Sequence, residues 1–249
     1  MIWYKEFFDK WYFDLYQESP RFKKDYIEKE NAFIRRVLDL PKGSKILDLC
    51  SGYGRHSVLL AKHGYKVTAF DLNKKALNLL KCKAKENNLD IEIIEGDMRK
   101  IPFNNRFDGV INIFTSFGYF ENDRENLKVL EEIRKSLKDN GKFLLDIRNK
   151  NWVLKNSFSQ NHYQTKSFSI SENRIFDKKN NQEIVNLIIK DKNKKAYSSK
   201  YITKLYSLNE IEKMLKLANL RITKIYGDTT IGSSYNKERS KRLVVLCNK

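Results

Sequence analysis

The 249 residues carry a formal charge of +18 and are 41% hydrophobic, which suits one large domain, or one domain with an insertion, and argues against global disorder. Three cysteines (Cys50, Cys82 and Cys247) have no C-x-x-C spacing and leave an odd count, which argues against a disulfide scaffold or a zinc site and fits free thiols in a reducing cytoplasm. No apolar run approaches the ~20 residues of a membrane helix, and the opening MIWYKEFFDKWYF lacks the layout of a signal peptide.

The charge is uneven. Residues 1–40 carry eight bases and eight acids, 41–148 carry 20 and 15, and 149–249 carry 21 and eight. The excess therefore lies in the C-terminal part, where an anionic partner and a compositional drift toward Lys and Asn explain it equally well.

Residues 1–18 have helical spacing, with Trp3, Phe7, Trp11 and Leu15 on one face and acids on the other. A membrane-surface helix would carry Lys and Arg there, so 1–40 is expected to form a helical lid packed on the main domain. Tyr12 and Tyr16 are the residues expected to reach a ligand. Pro20 opens a second helix over 22–39, and 41–44 (PKGS) breaks it.

Residues 45–71, KILDLCSGYGRHSVLLAKHGYKVTAFD, read as strand, Gly-rich turn, helix, strand and acid. A strand turning directly into a helix needs positive φ, and a ligand lying on that backbone leaves no room for Cβ. Asp71 closes the second strand, where a carboxylate can accept both hydroxyls of a ribose.

A Lys-rich helix is expected over 73–88, a third strand over 91–95 followed by Gly96-Asp97-Met98-Arg99, and a fourth over 107–114 (FDGVINIF), apolar as a central parallel strand should be. The loop 115–120 (TSFGYF) leads to a helix over 123–138, a turn at 140–141 and a fifth strand over 142–147 ending at Arg148. Residues 150–206 change to period-two alternation, broken at 178–181 and 191–194, which predicts a small inserted antiparallel sheet serving as a lid, a substrate-binding or an oligomerisation subdomain. A helix over 208–220 with Asn209 as its cap, and strands over 222–226 and 243–247, complete the chain. The fold class is α/β: a doubly wound, seven-stranded, mostly parallel sheet formed by 41–149 and 207–249, with the insertion at 150–206.

This order resembles the class I S-adenosylmethionine-dependent methyltransferases, and within them the small-molecule branch. The likeness covers nearly the whole chain and is strongest in LDLCSGYGRHSVLLAKHGYKVTAFDLN, IEGDMRKIPF and FDGVINIFTSFGYF. It implies S-adenosyl-L-methionine as cofactor and S-adenosyl-L-homocysteine as product. It places Asp48, Cys50, Gly52 and Gly54 against the methionine part, Asp71 on the ribose, and Leu72, Asp97 and Met98 around the adenine. Asn112 and Phe114 would then line the cofactor near its reactive methyl. The family often has Gly where Cys50 stands, which matters only if the turn needs positive φ there. A dinucleotide-binding dehydrogenase is the competing reading, but its third Gly is replaced by Ser57, and it gives no reason for Gly96-Asp97.

Methyl transfer asks mainly for positioning and exclusion of water, with a base needed only for some nucleophiles. The Asn/Asp-Pro-Pro motif of exocyclic-amine methylation and the Pro-Cys motif of cytosine methylation are both missing. The expected reaction is therefore transfer to N or O of a small-molecule acceptor. An RNA or protein acceptor held by the basic C-terminal half is the alternative, and a non-catalytic cofactor-binding module is a third reading. Ser116, Phe117, Tyr119 and Arg148 are the substrate candidates. Tyr119 and His56 are the catalytic candidates; a helix N-terminus disfavours the imidazolium and leaves a neutral His56 ring, usable as a base or packed beside the cofactor. Arg55 would reach the cofactor carboxylate or solvent. No metal and no membrane partner are expected, and the chain would be a monomer or homodimer.

Overall fold

The computed structural model describes residues 3–156 and 160–249. Residues 1 and 2, part of the expected first helix, and 157–159, part of the expected insertion, lie outside the described residues. The N-terminal helix is two: α1 (Trp3–Lys10) and α2 (Tyr12–Tyr16), divided at Trp11. A 3-10 turn at Pro20–Phe22 follows, and then α3 (Lys24–Leu38), closed by Asp39 in the left-handed region at φ 45°.

The main sheet takes β1 (Lys45–Leu49), β2 (Lys66–Asp71), β3 (Ile91–Glu95), β4 (Phe107–Asn112) and β5 (Leu137–Arg148) from the first half. It takes β10 (Arg221–Tyr226) and β11 (Arg242–Asn248) from the end of the chain. Its order is β10-β11-β5-β4-β1-β2-β3, parallel throughout except for β11, which runs antiparallel to both neighbours. Strand order reverses at β1, which pairs with β2 on one side and β4 on the other. That switch point opens a crevice beyond the carboxyl ends of both strands.

Helices α4 (Arg55–Lys62) and α5 (Lys74–Glu86) cover one face with α3; α6 (Asp123–Ser136) and α8 (Leu208–Leu217) cover the other. Helix α8 is capped by Ser207, not Asn209, because Ser207 forms a full capping box with Glu210, three residues on. The turn expected at 140–141 lies inside β5, whose pairing begins at Leu137.

The stretch from 150 opens with a helix, α7 (Lys150–Asn156), where alternation alone was expected. Strands β6 (Gln160–Gln164), β7 (Phe168–Asp177), β8 (Gln182–Asp191) and β9 (Ala196–Lys204) then form an antiparallel meander. Two of its three hairpins turn at the predicted breaks, with Asn181 and Lys194 at positive φ; the third joins β6 to β7 over 165–167, where no break was expected. The inner face (Ile170, Val185, Leu187 and Ile189) packs on Phe7 and Leu15 of α1 and α2. Helices α1 and α2 and the inserted sheet thus share one apolar core. No helix among the described residues is long and apolar enough to cross a membrane.

Candidate active site

A cavity of about 920 Å³ lies at the carboxyl ends of β1, β2 and β4, beneath α1 and α2. Its floor is the turn after β1. Cys50, Gly52 and Gly54 have φ of 61°, 55° and 73°. The turn therefore demands the left-handed region at Cys50, where a Cβ costs about 1–2 kcal/mol. The N–H groups of Cys50 and Ser51 both donate to the Phe70 carbonyl, at 2.7 and 3.2 Å, which folds the turn over the end of β2.

Asp71 is held by the scaffold it completes. Its Oδ2 accepts from Gly52 N–H and its Oδ1 from Asn73 N–H, each at 2.8 Å. Each oxygen keeps a free lone pair for a ligand hydroxyl. Burial pushes the Asp71 carboxyl up, opposed by those two N–H groups. Asp48, at the end of β1, is buried and accepts from Ser57 Oγ at 2.6 Å. Ser57, the residue that breaks the dinucleotide pattern, thus supports the acid. Burial raises the Asp48 carboxyl as well.

On the third side Asp97 is clamped by Arg99, with Nη2 2.6 Å from Oδ2 and Nε 3.1 Å from both oxygens. Burial would raise the Asp97 carboxyl, but the Arg99 hydrogen bonds hold it below its ordinary value. Met98 Sδ lies 3.5 Å from Cys50 Sγ. The loop after β4 carries two consecutive residues at positive φ, Phe114 at 68° and Thr115 at 62°. Asp146 on β5 fixes both: its carboxylate accepts from Phe114 N–H and its carbonyl from Thr115 N–H, each at 2.9 Å.

The roof is aromatic. Phe8 stands 5.4 Å from Tyr119, Phe13 5.0 Å from Tyr53, and Phe22 5.7 Å from Phe114, centroid to centroid. Asn73 Nδ2 donates to the Phe8 carbonyl at 3.0 Å and latches α1 to the loop after β2. Burial pushes the Tyr12 phenol up to about 12 and Tyr119 well above its ordinary value, so both are neutral hydroxyls near neutral pH.

Tyr12, Asp48, Cys50, Gly52, Arg55, His56, Asp71, Leu72, Asp97, Met98, Phe114, Ser116 and Tyr119 all line this cavity. Five expected residues do not. Tyr16 turns under the inserted sheet, its hydroxyl 3.4 Å from that of Tyr201. Gly54 serves packing: a Cβ there would lie 2.2 Å from Leu80 Cδ1, so this glycine lets α5 approach the turn. Asn112 is buried behind the floor and donates to the Leu49 carbonyl at 3.2 Å. Phe117 is 1% exposed, packed on Tyr206 in the core. Arg148 is ion-paired with Glu183 of β8 and ties the inserted sheet to β5.

His56 is buried with Nε2 3.1 Å from Glu30 Oε2. Burial and the Arg55 charge lower its pKa, so it is neutral near pH 7; its Nε2 faces Glu30 and its Nδ1 has no partner among the described residues. Residues that sequence reasoning did not single out complete the wall: Phe8, Phe13, Phe22, Ser51, Tyr53 and Asn73. Ser51 and Tyr53 lie inside the glycine turn, and that adjacency was the available signal.

Five buried polar atoms on residues of the wall have no hydrogen-bond partner among the described residues: Ser51 Oγ, Tyr53 OH, Arg55 Nη2 and both ring nitrogens of His56. Each such atom costs about 1–3 kcal/mol unless something satisfies it. A ligand with a nucleoside and a zwitterionic amino-acid end fits this set, with the acids Asp48 and Asp71 and the cation Arg55 within one cavity.

Residues 46–141 match the family described as Methyltransferase domain. The chain is 34% identical over 104 residues to the cypemycin N-terminal methyltransferase of a Streptomyces species, covering 42% of each chain. It is 27% identical over 165 residues to a glycine/sarcosine N-methyltransferase of Aphanothece halophytica, covering 59% of this chain and 62% of the relative. It is also 34% identical over 98 residues to a tRNA (uracil(54)-C(5))-methyltransferase of Pyrococcus abyssi (strain GE5 / Orsay), covering 35% and 24%. The chain therefore spans less than two thirds of each of these curated relatives. A solved S-adenosylmethionine-dependent methyltransferase from Clostridium acetobutylicum ATCC 824 superposes with a TM-score of 0.81 at 20% identity, over 94% of this chain and 95% of that one. Residues 46–141 thus match a methyltransferase domain, and the chain shares the fold of that S-adenosylmethionine-dependent methyltransferase over nearly its whole length.

Proposed function

We propose that this protein transfers a methyl group from S-adenosyl-L-methionine to nitrogen or oxygen of a small-molecule acceptor. The observation that carries the reading is the cavity itself, at the carboxyl ends of β1, β2 and β4. The glycine turn forms its floor, Asp71 and Asp97 stand on its walls, and aromatic rings roof it, a set that a nucleoside ligand would fit. When bound, the cofactor supplies a sulfonium methyl with a neutral leaving group. Asp71 would hold the ribose, Leu72, Asp97 and Met98 would border the adenine, and Asp48 and Arg55 would face the amino-acid end.

The protein's remaining task is to orient an acceptor and keep water out. Phe22, Phe114, Tyr119 and the α1–α2 helices do this by enclosing the cavity. The Tyr12 and Tyr119 hydroxyls offer hydrogen bonds to an acceptor without charge. A neutral amine needs no base, and His56 is turned to Glu30. Nitrogen is therefore the favoured nucleophile, in keeping with the glycine/sarcosine specificity of one relative. A roofed cavity favours a small acceptor over an RNA strand.

Titration calorimetry of S-adenosylhomocysteine against the parent and Asp71→Ala tests the reading. The parent is expected to bind and the variant to lose about tenfold or more, the worth of a charge-assisted hydrogen bond. Binding by neither, or equal binding by both, refutes it.

A further inference from the structure

Behind the cavity floor lies a buried ionic cluster that the cofactor reading leaves unexplained. At its centre is Glu30 of α3, 0% exposed. Its Oε1 accepts from Arg21 Nη2 and from Thr229 Oγ1, each at 2.5 Å. Its Oε2 lies 2.8 Å from Arg55 Nη1 and 3.1 Å from His56 Nε2. A carboxylate in the middle of an amphipathic helix would ordinarily face water; here four groups from three distant segments converge on it.

The geometry of Arg55 gives the cluster a direction. Its side chain is 10% exposed. Nη1 is committed between Glu30 Oε2 and the Arg21 carbonyl, 3.2 Å away. Its guanidinium lies 5.0 Å from the Phe114 ring and 5.5 Å from the Phe22 ring, centroid distances that fit cation–π contact with both. Nη2 has no partner among the described residues, although it is buried and the residue lines the cavity beside Asp48 and Ser51. A guanidinium offers its donors as a planar fork, and the fork recognises a carboxylate only when its orientation is fixed. A free arginine side chain would give up much of its rotamer freedom to adopt that pose; Glu30 imposes it beforehand.

We propose that Glu30 is a positioning residue for the carboxylate of the cofactor's amino-acid end, acting through Arg55, whose Nη1 it anchors so that Nη2 is left for the ligand. The inference rests on the cofactor reading above. Thr229 and Arg21 brace Glu30 in turn, and Arg21 Nη2 donates to Thr229 Oγ1 at 3.1 Å. The loop between β10 and β11 thereby supports a site it does not touch.

Two ligands sharing a nucleoside separate this role from general support of the fold. S-adenosylhomocysteine carries the amino-acid end, and 5′-methylthioadenosine does not. Glu30→Gln preserves shape and removes the charge. It is expected to weaken S-adenosylhomocysteine about tenfold or more, and to leave 5′-methylthioadenosine within about twofold, as for an independent site. Arg55→Met should shift the same ratio, and the double variant should shift it no further. Equal loss of both ligands, or loss of neither, overturns the proposal. If Glu30→Gln does not fold, Glu30→Asp keeps the charge but withdraws it by one methylene and must shift the ratio in the same direction; an unchanged ratio there overturns the proposal as well. A parent that binds neither ligand refutes instead the cofactor reading on which this rests.

Discussion

At the scale of single residues the site is built from side chains held in states they would not adopt in water. Cys50 sits in the left-handed region at φ 61°, with its thiol 3.5 Å from the Met98 sulfur. Asp71 spends two of its acceptor positions on backbone N–H groups before any ligand arrives, which fixes its orientation. His56 shows how such a state becomes measurable. It is buried among Glu30, Arg55 and Asp48; burial and the Arg55 charge push its pKa below 6.5, against the pull of the two carboxylates. The unfolded chain therefore takes up this proton before the folded one does. Stability tied to His56 is complete above pH 6.5 and is lost as pH falls through the lower folded value. Urea midpoints should accordingly drop between pH 7.5 and 5.5 more steeply in the parent than in His56→Gln. Parallel slopes would mean that His56 keeps its ordinary affinity for the proton. The neutral ring was legible from its place in the first turn of α4; burial and a neighbouring guanidinium lower its pKa as well. Its commitment to Glu30 was not legible, because nothing near residue 56 in the chain points to residue 30.

Among elements, those that local sequence could reveal are those whose signals are local. The β1 turn, the Asp71 strand end, the Gly96-Asp97 pair and the hairpin breaks at 178–181 and 191–194 each occupy a few contiguous residues, and each stands where expected. Helix α7 escaped because seven residues between a strand and a sheet make too short a periodic signal. Arg148 was read as a substrate ligand because it ends a strand facing the crevice; its partner Glu183 lies 35 residues on, in a different sheet. The loop after β4 depends on the same long-range logic. Phe114 and Thr115 hold positive φ because Asp146, 0% exposed, accepts both of their N–H groups while its carboxylate also binds Arg242 Nε at 2.7 Å. Asp146→Asn removes the charge opposite a buried guanidinium and is expected to cost about 3 kcal/mol, as when one partner of a buried ion pair is lost. A fall in the urea midpoint at unchanged slope would report it; an unchanged midpoint would show that Arg242 and the loop do without the charge.

Across the whole molecule, chain segments far apart in sequence close on one cavity. Arg21 and Glu30 meet Thr229 across 208 and 199 residues, and each residue read singly looks like part of a solvated surface. The charge of +18 plays little part in this, because acids such as Asp48, Asp71 and Asp97 stand on the cavity wall beside Arg55 and the α5 lysines. Helices α1 and α2 are where the whole-molecule organisation is most exposed to test. Helices α1 and α2 contribute Phe7 and Leu15 to the core of the inserted sheet, and Phe8, Tyr12 and Phe13 to the roof of the cavity. They cannot leave the cofactor domain without uncovering Ile170, Val185, Leu187 and Ile189, all at most 1% exposed. Removing residues 1–18 should therefore act at two places at once. The seven-stranded core, with its own apolar clusters on both faces, should keep its far-ultraviolet dichroism, since none of those buried residues comes from α1 or α2. The bared sheet should bind a hydrophobic dye. S-adenosylhomocysteine affinity should fall about tenfold, roughly what loss of one or two enclosed aromatic contacts implies. A truncated chain that binds no dye and keeps its affinity would show that the inserted sheet and the cavity are each complete without these helices.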